Sequence, residues 1–233
     1  MQSSAQPPIL ALIPAHNEAP RIAPVVRGAR AHLPVLVVDD GSTDETAAVA
    51  REAGATVLMQ TPNQGKGAAL RAGFRRAIAD GCEAVVTLDA DGQHDPADLP
   101  ALLDAWARNH AGLVIGRRDF RQVPPVRRLA NELGTAVFSW AVGRQIPDNQ
   151  SGYRLVSRRL MEAVLDSGET GFEFEVEMIT TCIRAGYALE WVPIRTIYAG
   201  EPSHIRPWHH VTSFLRVARR ARRTVRTPLD PGS

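Results

Sequence analysis

Long apolar runs are missing from this chain of 233 residues, although 44% of its residues are hydrophobic. No stretch approaches the roughly 20 uninterrupted apolar residues that a membrane-spanning helix requires, and the first residues lack the basic start and apolar run of a secretory signal. We therefore expect a cytoplasmic protein. A chain of this length and composition is able to bury one sizeable core, so we expect a single globular domain.

Cysteine and lysine are also scarce. Cys82 and Cys182 lie far apart and form no CxxC pair, which excludes a disulfide framework and a cysteine zinc site. Both are expected to be reduced core residues. Lys66 is the only lysine in a chain that is rich in arginine. A lone lysine suggests a specific contact, with chance as the alternative.

Short apolar runs alternate with segments of helical periodicity along the first half of the chain. This pattern predicts an α/β fold in which helices flank a mostly parallel sheet. From about Pro124 it changes to a helix, a loop at residues 145–152, two further helices and a strand pair near residues 189–198. The predicted strands are Ile9 to Ile13, Val35 to Val38, Thr56 to Met59, Ala84 to Leu88 and Leu113 to Ile115, and the later helix is Arg127 to Val142.

Residues that follow these strands are the first candidates for a functional site, because ligands bind beyond the carboxyl ends of parallel strands. Asp39 and Asp40 end the second run, beside the tip of the first, which reads Pro14 to Glu18. Residues 42–44 would cap the next helix. Capping does not explain the two aspartates, because adjacent carboxylates repel each other unless a nucleobase, a ribose or another partner binds them. We favour a ligand-binding role over a structural one.

The segment from Asp89 to Asp95 carries the sharpest pattern. Asp89 and Asp91 point to the same side of an extended segment, and Gln93 continues the row. Two carboxylates and an amide oxygen are a ligand set suited to Mg²⁺ or Mn²⁺. The structural alternative is that the aspartates are turn residues and that Asp95 begins a helix.

The segment Asn63 to Gly67 opens a predicted helix, and its glycines would admit a phosphate close to backbone N–H groups. It is neither a P-loop nor a GxGxxG motif, so this evidence is weak by itself.

Together these segments resemble glycosyltransferase family 2, the large GT-A group, and within it the branch of dolichol-phosphate mannose synthase and bacterial polyprenyl-phosphate sugar transferases. Any one segment would be weak evidence, but the segments occur in the order and spacing of that family. They are Ile13 to Glu18, Val38 to Ser42, Asn63 to Gly67 and Asp89 to His94.

The resemblance implies a nucleotide-sugar donor and a Mg²⁺ or Mn²⁺ cofactor. The implied metal ligands are Asp89, Asp91 and Gln93. The segment Tyr198 to His204 resembles a loop that folds over the donor, with histidine where lysine is common in the family. The implied donor-binding residues are Pro14, Asn17, Glu18, Asp39, Asp40, Lys66, Asp89, Ala90, Asp91, Ser203 and His204.

The resemblance also implies a set of catalytic residues. Arg118 ends a turn like the glycine-serine-arginine turn of the family, and Arg127 matches a helix-borne arginine that meets phosphate, with Arg128 as its competitor. Asp148 begins a loop placed near the acceptor. Glu175 stands where many members have an aspartate base, and the alternative is a glutamate on an exposed first helical turn. The implied catalytic residues are Asp91, Glu175, Asp148, Arg118 and Arg127.

The expected reaction is transfer with inversion at the anomeric carbon, because no carboxylate is placed as a nucleophile. The expected acceptor is a lipid or lipid phosphate at the cytoplasmic membrane face, and the alternative is a soluble hydroxyl compound. A non-catalytic nucleotide-sugar-binding protein is the rival from another class. A sugar nucleotidyltransferase would begin with a glycine-rich loop, which Pro14 to Asn17 is not.

We assign residues 1–205 to the GT-A domain and residues 206–233 to a basic amphipathic C-terminal helix and tail. Apolar residues recur there at helical spacing, and arginines fill most of the other face. This pattern predicts peripheral binding to an anionic membrane surface, with a helix docked on the domain as the alternative. Nucleic acid is not an expected partner, because the segment lacks interleaved aromatic residues.

Overall fold

The structure is a computed structural model that describes residues 8–118, 125–166, 168, 169, 171, 173–195, 197 and 222. Within the helix that begins at Pro125, side chains are described from residue 134 onward. The predicted C-terminal helix lies outside the described residues, apart from Arg222.

Seven strands and seven helices make up the described part of the chain. The strands are β1 (Ile9–Ala15), β2 (Val35–Asp40), β3 (Thr56–Gln60), β4 (Ala84–Thr87), β5 (Leu113–Arg118), β6 (Arg154–Ser157) and β7 (Leu189–Ile194). The helices are α1 (Ala19–Arg30), α2 (Thr46–Glu52), α3 (Lys66–Ala79), α4 (Leu99–Asn109), α5 (Pro125–Val142), α6 (Arg158–Val164) and α7 (Glu173–Arg184).

All seven strands form one sheet in the order β3-β2-β1-β4-β6-β5-β7. The pairs β1 with β2, β1 with β4, β2 with β3 and β5 with β7 are parallel, which confirms the predicted mostly parallel sheet. Strand β6 is antiparallel to both of its neighbours, β4 and β5.

Two details of the predicted second half were wrong. Strand β6 was not predicted, because it is only four residues long and begins with the charged residue Arg154. The predicted strand pair near residues 189–198 is, in the described part of that segment, the single strand β7, whose partner is β5. Local pattern cannot reveal this pairing, because the partner lies 76 residues earlier in the chain, as in the pair Leu113 and Leu189.

The sheet lies between two helical layers, each with its own apolar cluster. On one face, α3, α5, α6 and α7 contribute buried residues such as Phe74, Phe138, Met161 and Phe174. On the other face, α1, α2 and α4 contribute residues such as Ile22, Ala50 and Trp106. Strands covered on both faces need continuous apolar runs, which explains why β1, β2 and β4 do not alternate between apolar and polar residues.

The register of the parallel strands brings three candidate segments to one edge of the sheet. Ala15 at the end of β1 pairs with Asp39 of β2, so the two tips lie side by side as predicted. Strand β4 pairs with the other side of β1, and its last residue, Thr87, is followed by the Asp89 segment. The carboxyl ends of β1, β2 and β4 therefore define the site.

Among the helices that the structure describes, none combines the length and the apolar character needed to cross a membrane.

Close packing of α3 on β1 gives a first prediction. A Cβ added at Gly73 would clash with the Cδ atoms of Leu12, and both residues are buried. We expect Gly73→Ala to lower the free energy of unfolding by about 1–3 kcal/mol, because overpacking outweighs the better helix propensity of alanine. Urea unfolding measures the change.

Leu12→Val provides the matched test, because it removes the Cδ atoms that cause the clash. The double variant should lose less stability than the sum of the two single variants, because contacting residues are not additive. Unchanged or raised stability of Gly73→Ala would contradict the packing described here.

Candidate active site

A cavity of about 320 Å³ opens at the carboxyl ends of β1, β2 and β4. It joins the predicted nucleoside side of the site to the predicted metal side. Its lining residues are Pro14, Ala15, His16, Glu18, Asp40, Asn63, Gly65, Lys66, Ala69, Asp89, Ala90 and Asp91.

The adjacent carboxylates of Asp39 and Asp40 both have backbone partners. Asp40 accepts hydrogen bonds from the N–H groups of Gln64 (2.9 Å) and Gly65 (2.7 Å), and Asp39 accepts one from Ser42 N–H (3.0 Å). Both carboxylates therefore have partners within the chain, and the ligand-binding role favoured for the pair stays a prediction. Asp40 nevertheless lines the cavity, whereas Asp39 is buried and is absent from the lining residues.

The tip of β1 is bound to the tip of β2 through Asn17. Its backbone φ is 56°, in the left-handed region, and its side-chain oxygen accepts a hydrogen bond from Thr43 N–H (2.8 Å). Glu18 lines the cavity and forms an ion pair with Arg21 at 2.7 Å. His16, which the sequence did not single out, also lines the cavity, with Nδ1 3.0 Å from the carbonyl oxygen of Asp40.

Asp89 and Asp91 both face the cavity, and Asp91 accepts a hydrogen bond from Gln93 N–H (2.9 Å). Gln93 itself is not among the lining residues. The described residues contain no group of three or more His, Cys, Asp or Glu side chains able to hold a metal. Two carboxylates still fit a Mg²⁺ or Mn²⁺ ion, because such ions are commonly held by one or two carboxylates together with substrate phosphates.

Lys66 lies between two carboxylates at the floor of the cavity. Its Nζ atom is 2.5 Å from Asp89 Oδ1 and 2.8 Å from Glu175 Oε1. Burial acts to lower the pKa of Lys66, but the two carboxylates outweigh it and raise that pKa above its ordinary value. Burial likewise opposes ionisation of Asp89, yet Lys66 brings the pKa of this carboxyl down to about 2.

Glu175, near the start of α7, is 3% exposed. The alternative of a glutamate on an exposed first helical turn is therefore wrong for this residue. Its carboxylate reaches the Asp89 side of the cavity through Lys66, although it does not line the cavity itself.

A buried arginine, Arg154, contacts Glu175 and the loop before β6. Arg154 of β6 is fully buried and donates hydrogen bonds to the carbonyl oxygens of Ser151 (2.7 Å), Asn149 (3.2 Å) and Glu175. It thus connects the loop before β6 to the first turn of α7. The sequence offered one indication of this role, namely a charged residue directly before the apolar pair Leu155 and Val156.

Arg118 and Asp148 form a two-point ion pair. Arg118 donates from Nε to Oδ2 (2.9 Å) and from Nη2 to Oδ1 (3.0 Å), and Asp148 also accepts the N–H of Gln150 (3.0 Å). Asp148 is 1% exposed. The carboxylate of Asp148 is thus held in place by several donors, and the pair fixes the end of β5 to the loop before β6.

His94 is a further residue that the sequence did not assign. It is buried, burial lowers its pKa, and its Nδ1 atom accepts a hydrogen bond from Asp89 N–H (3.3 Å). Its ring packs against Tyr153 with centroids 5.2 Å apart. The neutral imidazole therefore fixes the backbone of the predicted metal-binding segment.

The structure does not describe the side chains of some predicted site residues. Ser203 and His204 lie outside the described residues, so the predicted donor loop is not placed. Arg127 and Arg128 lie on α5, but their side chains are not among those described.

Comparison with known proteins identifies the family to which the chain belongs. The model of the family described as "Glycosyl transferase family 2" matches residues 11–165. The chain belongs to glycosyltransferase family 2. This confirms the resemblance drawn from its motifs, and the chain is a glycosyltransferase with the GT-A fold.

Named relatives and solved structures agree with this assignment. The chain is 34% identical to undecaprenyl-phosphate mannosyltransferase of Micrococcus luteus, over 80% of this chain and 82% of the relative. It is also 34% identical to polyprenol monophosphomannose synthase of Mycolicibacterium smegmatis, over 79% and 76% of the two chains. A solved structure of glucosyl-3-phosphoglycerate synthase from Mycobacterium tuberculosis, with Mn²⁺, UDP and glucosyl-3-phosphoglycerate, has a TM-score of 0.69 at 22% identity, covering 98% and 83% of the chains.

The close approach of Gly152 to Asp89 gives a second prediction. A Cβ added at Gly152 would lie 2.6 Å from Asp89 Oδ2, so the carboxylate would have to move. We expect Gly152→Ala to weaken Mn²⁺ binding by about 10–100-fold, the range for groups that orient a metal ligand. Titration of Mn²⁺ in the presence of UDP or GDP, followed by electron paramagnetic resonance, measures the affinity.

Gly168→Ala is the matched control, because its added Cβ would meet no atom within 4 Å. It should bind Mn²⁺ like the unchanged protein. Equal Mn²⁺ affinity in both variants would show that Gly152 does not constrain Asp89.

Proposed function

We propose that this glycosyltransferase moves a sugar from a nucleotide-sugar donor to a polyprenyl phosphate, with a divalent cation held by Asp89 and Asp91. The observation that carries the proposal is a cavity that joins Asp40 to Asp89 and Asp91. A nucleoside diphosphate needs a nucleoside site and a phosphate site side by side, and the cavity has candidate residues for both. The polyprenyl acceptor is supported by two relatives, an undecaprenyl-phosphate mannosyltransferase and a polyprenol monophosphomannose synthase.

Asp89 and Asp91 would hold a Mg²⁺ or Mn²⁺ ion, while the amide oxygen of Gln93 stays a predicted third ligand. When bound, such an ion supplies positive charge that stabilises the departing nucleoside diphosphate. His94 would hold the backbone of Asp89 by accepting its N–H, and Gln93 N–H would orient the carboxylate of Asp91 by donating to it. Asp40 orients the loop at Gln64 and Gly65 on the opposite wall.

Acceptor chemistry decides whether the site needs a base. A phosphate acceptor arrives ionised and attacks the anomeric carbon without losing a proton, whereas a hydroxyl acceptor requires one of the carboxylates. Asp148 is held in a two-point pair with Arg118, which leaves Glu175 as the better placed base for a hydroxyl. Direct attack with inversion is the expected course for either acceptor, because each carboxylate that lines the described cavity already has a hydrogen-bond or ion-pair partner.

We also propose that the basic C-terminal segment holds the protein on an anionic membrane surface, where polyprenyl phosphates reside. Arg222, the residue of this segment that the structure describes, lies with its guanidinium carbon 4.1 Å from the ring centroid of Trp140 on α5. Trp140 is 68% exposed. An exposed tryptophan beside an arginine suits the boundary between lipid headgroups and water.

The donor reaction gives a third prediction. The protein should release nucleoside diphosphate from one of a panel of UDP- and GDP-sugars when Mn²⁺ and a polyprenyl phosphate are present. Asp91→Ala should reduce this release by at least about 100-fold, the loss typical of removing one electrostatic contributor to a transition state. A coupled nucleotide-release assay measures both.

Asp104→Ala is the control, because it removes an exposed carboxylate on α4. It should keep the full rate. Turnover with only soluble hydroxyl acceptors would overturn the acceptor assignment, and absence of both donor binding and turnover would overturn the proposed function.

The membrane proposal gives a fourth prediction. Protein truncated before Arg206 should partition at least about tenfold more weakly onto vesicles that contain anionic lipid, because each arginine near such a surface contributes about 1 kcal/mol. Co-sedimentation measures partitioning, and added salt should weaken the binding of the full chain. Equal partitioning of the full and truncated chains would remove the membrane role of this segment.

A further inference from the structure

The lone lysine stands at a fixed position between groups from distant parts of the chain. Lys66 is the first residue of α3, directly after Gly65, whose φ of 92° suits glycine and whose N–H is bound by Asp40. This anchor fixes where the lysine side chain starts. Its ammonium then contacts Asp89, which follows β4, and Glu175 of α7.

We propose that Lys66 is an internal cation that competes with the divalent metal for Asp89, and that the donor diphosphate relieves this competition by accepting the ammonium. The proposal deepens the function proposed above and rests on it. It assigns to Lys66 a coupling role between metal binding and donor binding, beyond contact with the donor.

Charge and distance support the competition. Asp89 Oδ1 is occupied at 2.5 Å by an ammonium group, and a divalent ion that takes Asp89 as a ligand places further positive charge beside it. Like charges at such a separation repel strongly where water is partly excluded. The side chains of Lys66 and Asp89 are only 35% and 27% exposed, and Glu175 is 4% exposed, so solvent screens this repulsion poorly.

A diphosphate is the natural partner for the displaced ammonium. Lysine carries its charge on a flexible four-carbon stem with three donors, so the group is able to turn from one anion to another without movement of α3. Lys66 lines the same cavity as Asp89 and Asp91. Metal and nucleoside diphosphate should therefore strengthen each other's binding, and this coupling must be reciprocal.

The coupling also bears on Glu175. While the ammonium bridges the two carboxylates, Glu175 is engaged in an ion pair. Transfer of the ammonium to the diphosphate frees this carboxylate only when donor is present. Lys66 thus makes the state of Glu175 depend on occupancy of the donor site.

Mn²⁺ titration without nucleotide tests the competition directly. Lys66→Gln should bind Mn²⁺ at least about tenfold more tightly than the unchanged protein, a shift of about 1.4 kcal/mol. Lys66→Arg, which keeps the charge, is the matched control and should bind Mn²⁺ about as weakly as the unchanged protein. Electron paramagnetic resonance reports free Mn²⁺, and urea unfolding checks that each variant is folded.

Addition of UDP or GDP tests the coupling. The nucleotide should raise the Mn²⁺ affinity of the unchanged protein by at least about tenfold, and this factor should be smaller in Lys66→Gln. Mn²⁺ binding by Lys66→Gln that is no tighter than normal overturns the Lys66 proposal alone. Failure of the unchanged protein to bind UDP, GDP or their sugars overturns the proposed function instead.

A second measurement uses the unchanged sequence. Because Lys66 is the only lysine, protein labelled with ¹³Cε-lysine should give one lysine Cε signal. Mg²⁺ and nucleoside diphosphate added together should shift this signal more than either one alone. A signal that stays in place while the nucleotide binds would show that the ammonium does not leave its two carboxylates, and would overturn the proposal.

Discussion

The ion pairs of Lys66 connect parts of the site that the sheet alone leaves apart. Parallel strands deliver Asp40 and the Asp89 segment to one edge, but Glu175 arrives on α7, a helix of the layer that also contains α3. One ammonium group lies within ion-pair distance of both Asp89 and Glu175. Because Gly65 N–H is bound to Asp40, the lysine is also tied to the Asp40 side of the cavity. The Asp40 side and the Asp89 side of the cavity are therefore connected through Lys66 and the residue before it.

Several charged side chains near this edge are matched by an opposite charge or by hydrogen-bond acceptors. Arg118 is matched to Asp148, and fully buried Arg154 is surrounded by backbone carbonyl oxygens. Buried charges are tolerated only when they are paired or hydrogen-bonded. Such matching holds the charged groups and dipoles of the site in place, which is the arrangement that stabilises charge developing during sugar transfer.

The sequence predicted the first five strands and the positions of the segments that follow them, because continuous apolar runs and strand-end polar motifs are local features. It missed β6, since four residues that begin with an arginine lack a recognisable period. It left open whether Glu175 is a base or an exposed residue of a first helical turn, because the burial of this glutamate depends on a lysine more than one hundred residues earlier. The backbone partners of Asp40 were missed for the same reason, because Gln64 and Gly65 lie more than twenty residues further along the chain. The partner of Asp39, Ser42 N–H, is local, but its segment was assigned only to helix capping.

Strand β6 runs against its neighbours, and this reversal has a structural consequence. Residues that leave parallel strands build the wall around Asp40, Asp89 and Asp91, whereas residues 148–152 reach the same edge while entering a strand. Segments that leave parallel strands and a segment that enters an antiparallel strand therefore meet at the same pocket. Exchanges in the entering loop therefore act on the pocket from a second direction, and an exchange at Gly152 reaches Asp89 itself. A fold of this kind allows changes in one short antiparallel entry to alter a site that is built mainly from parallel exits.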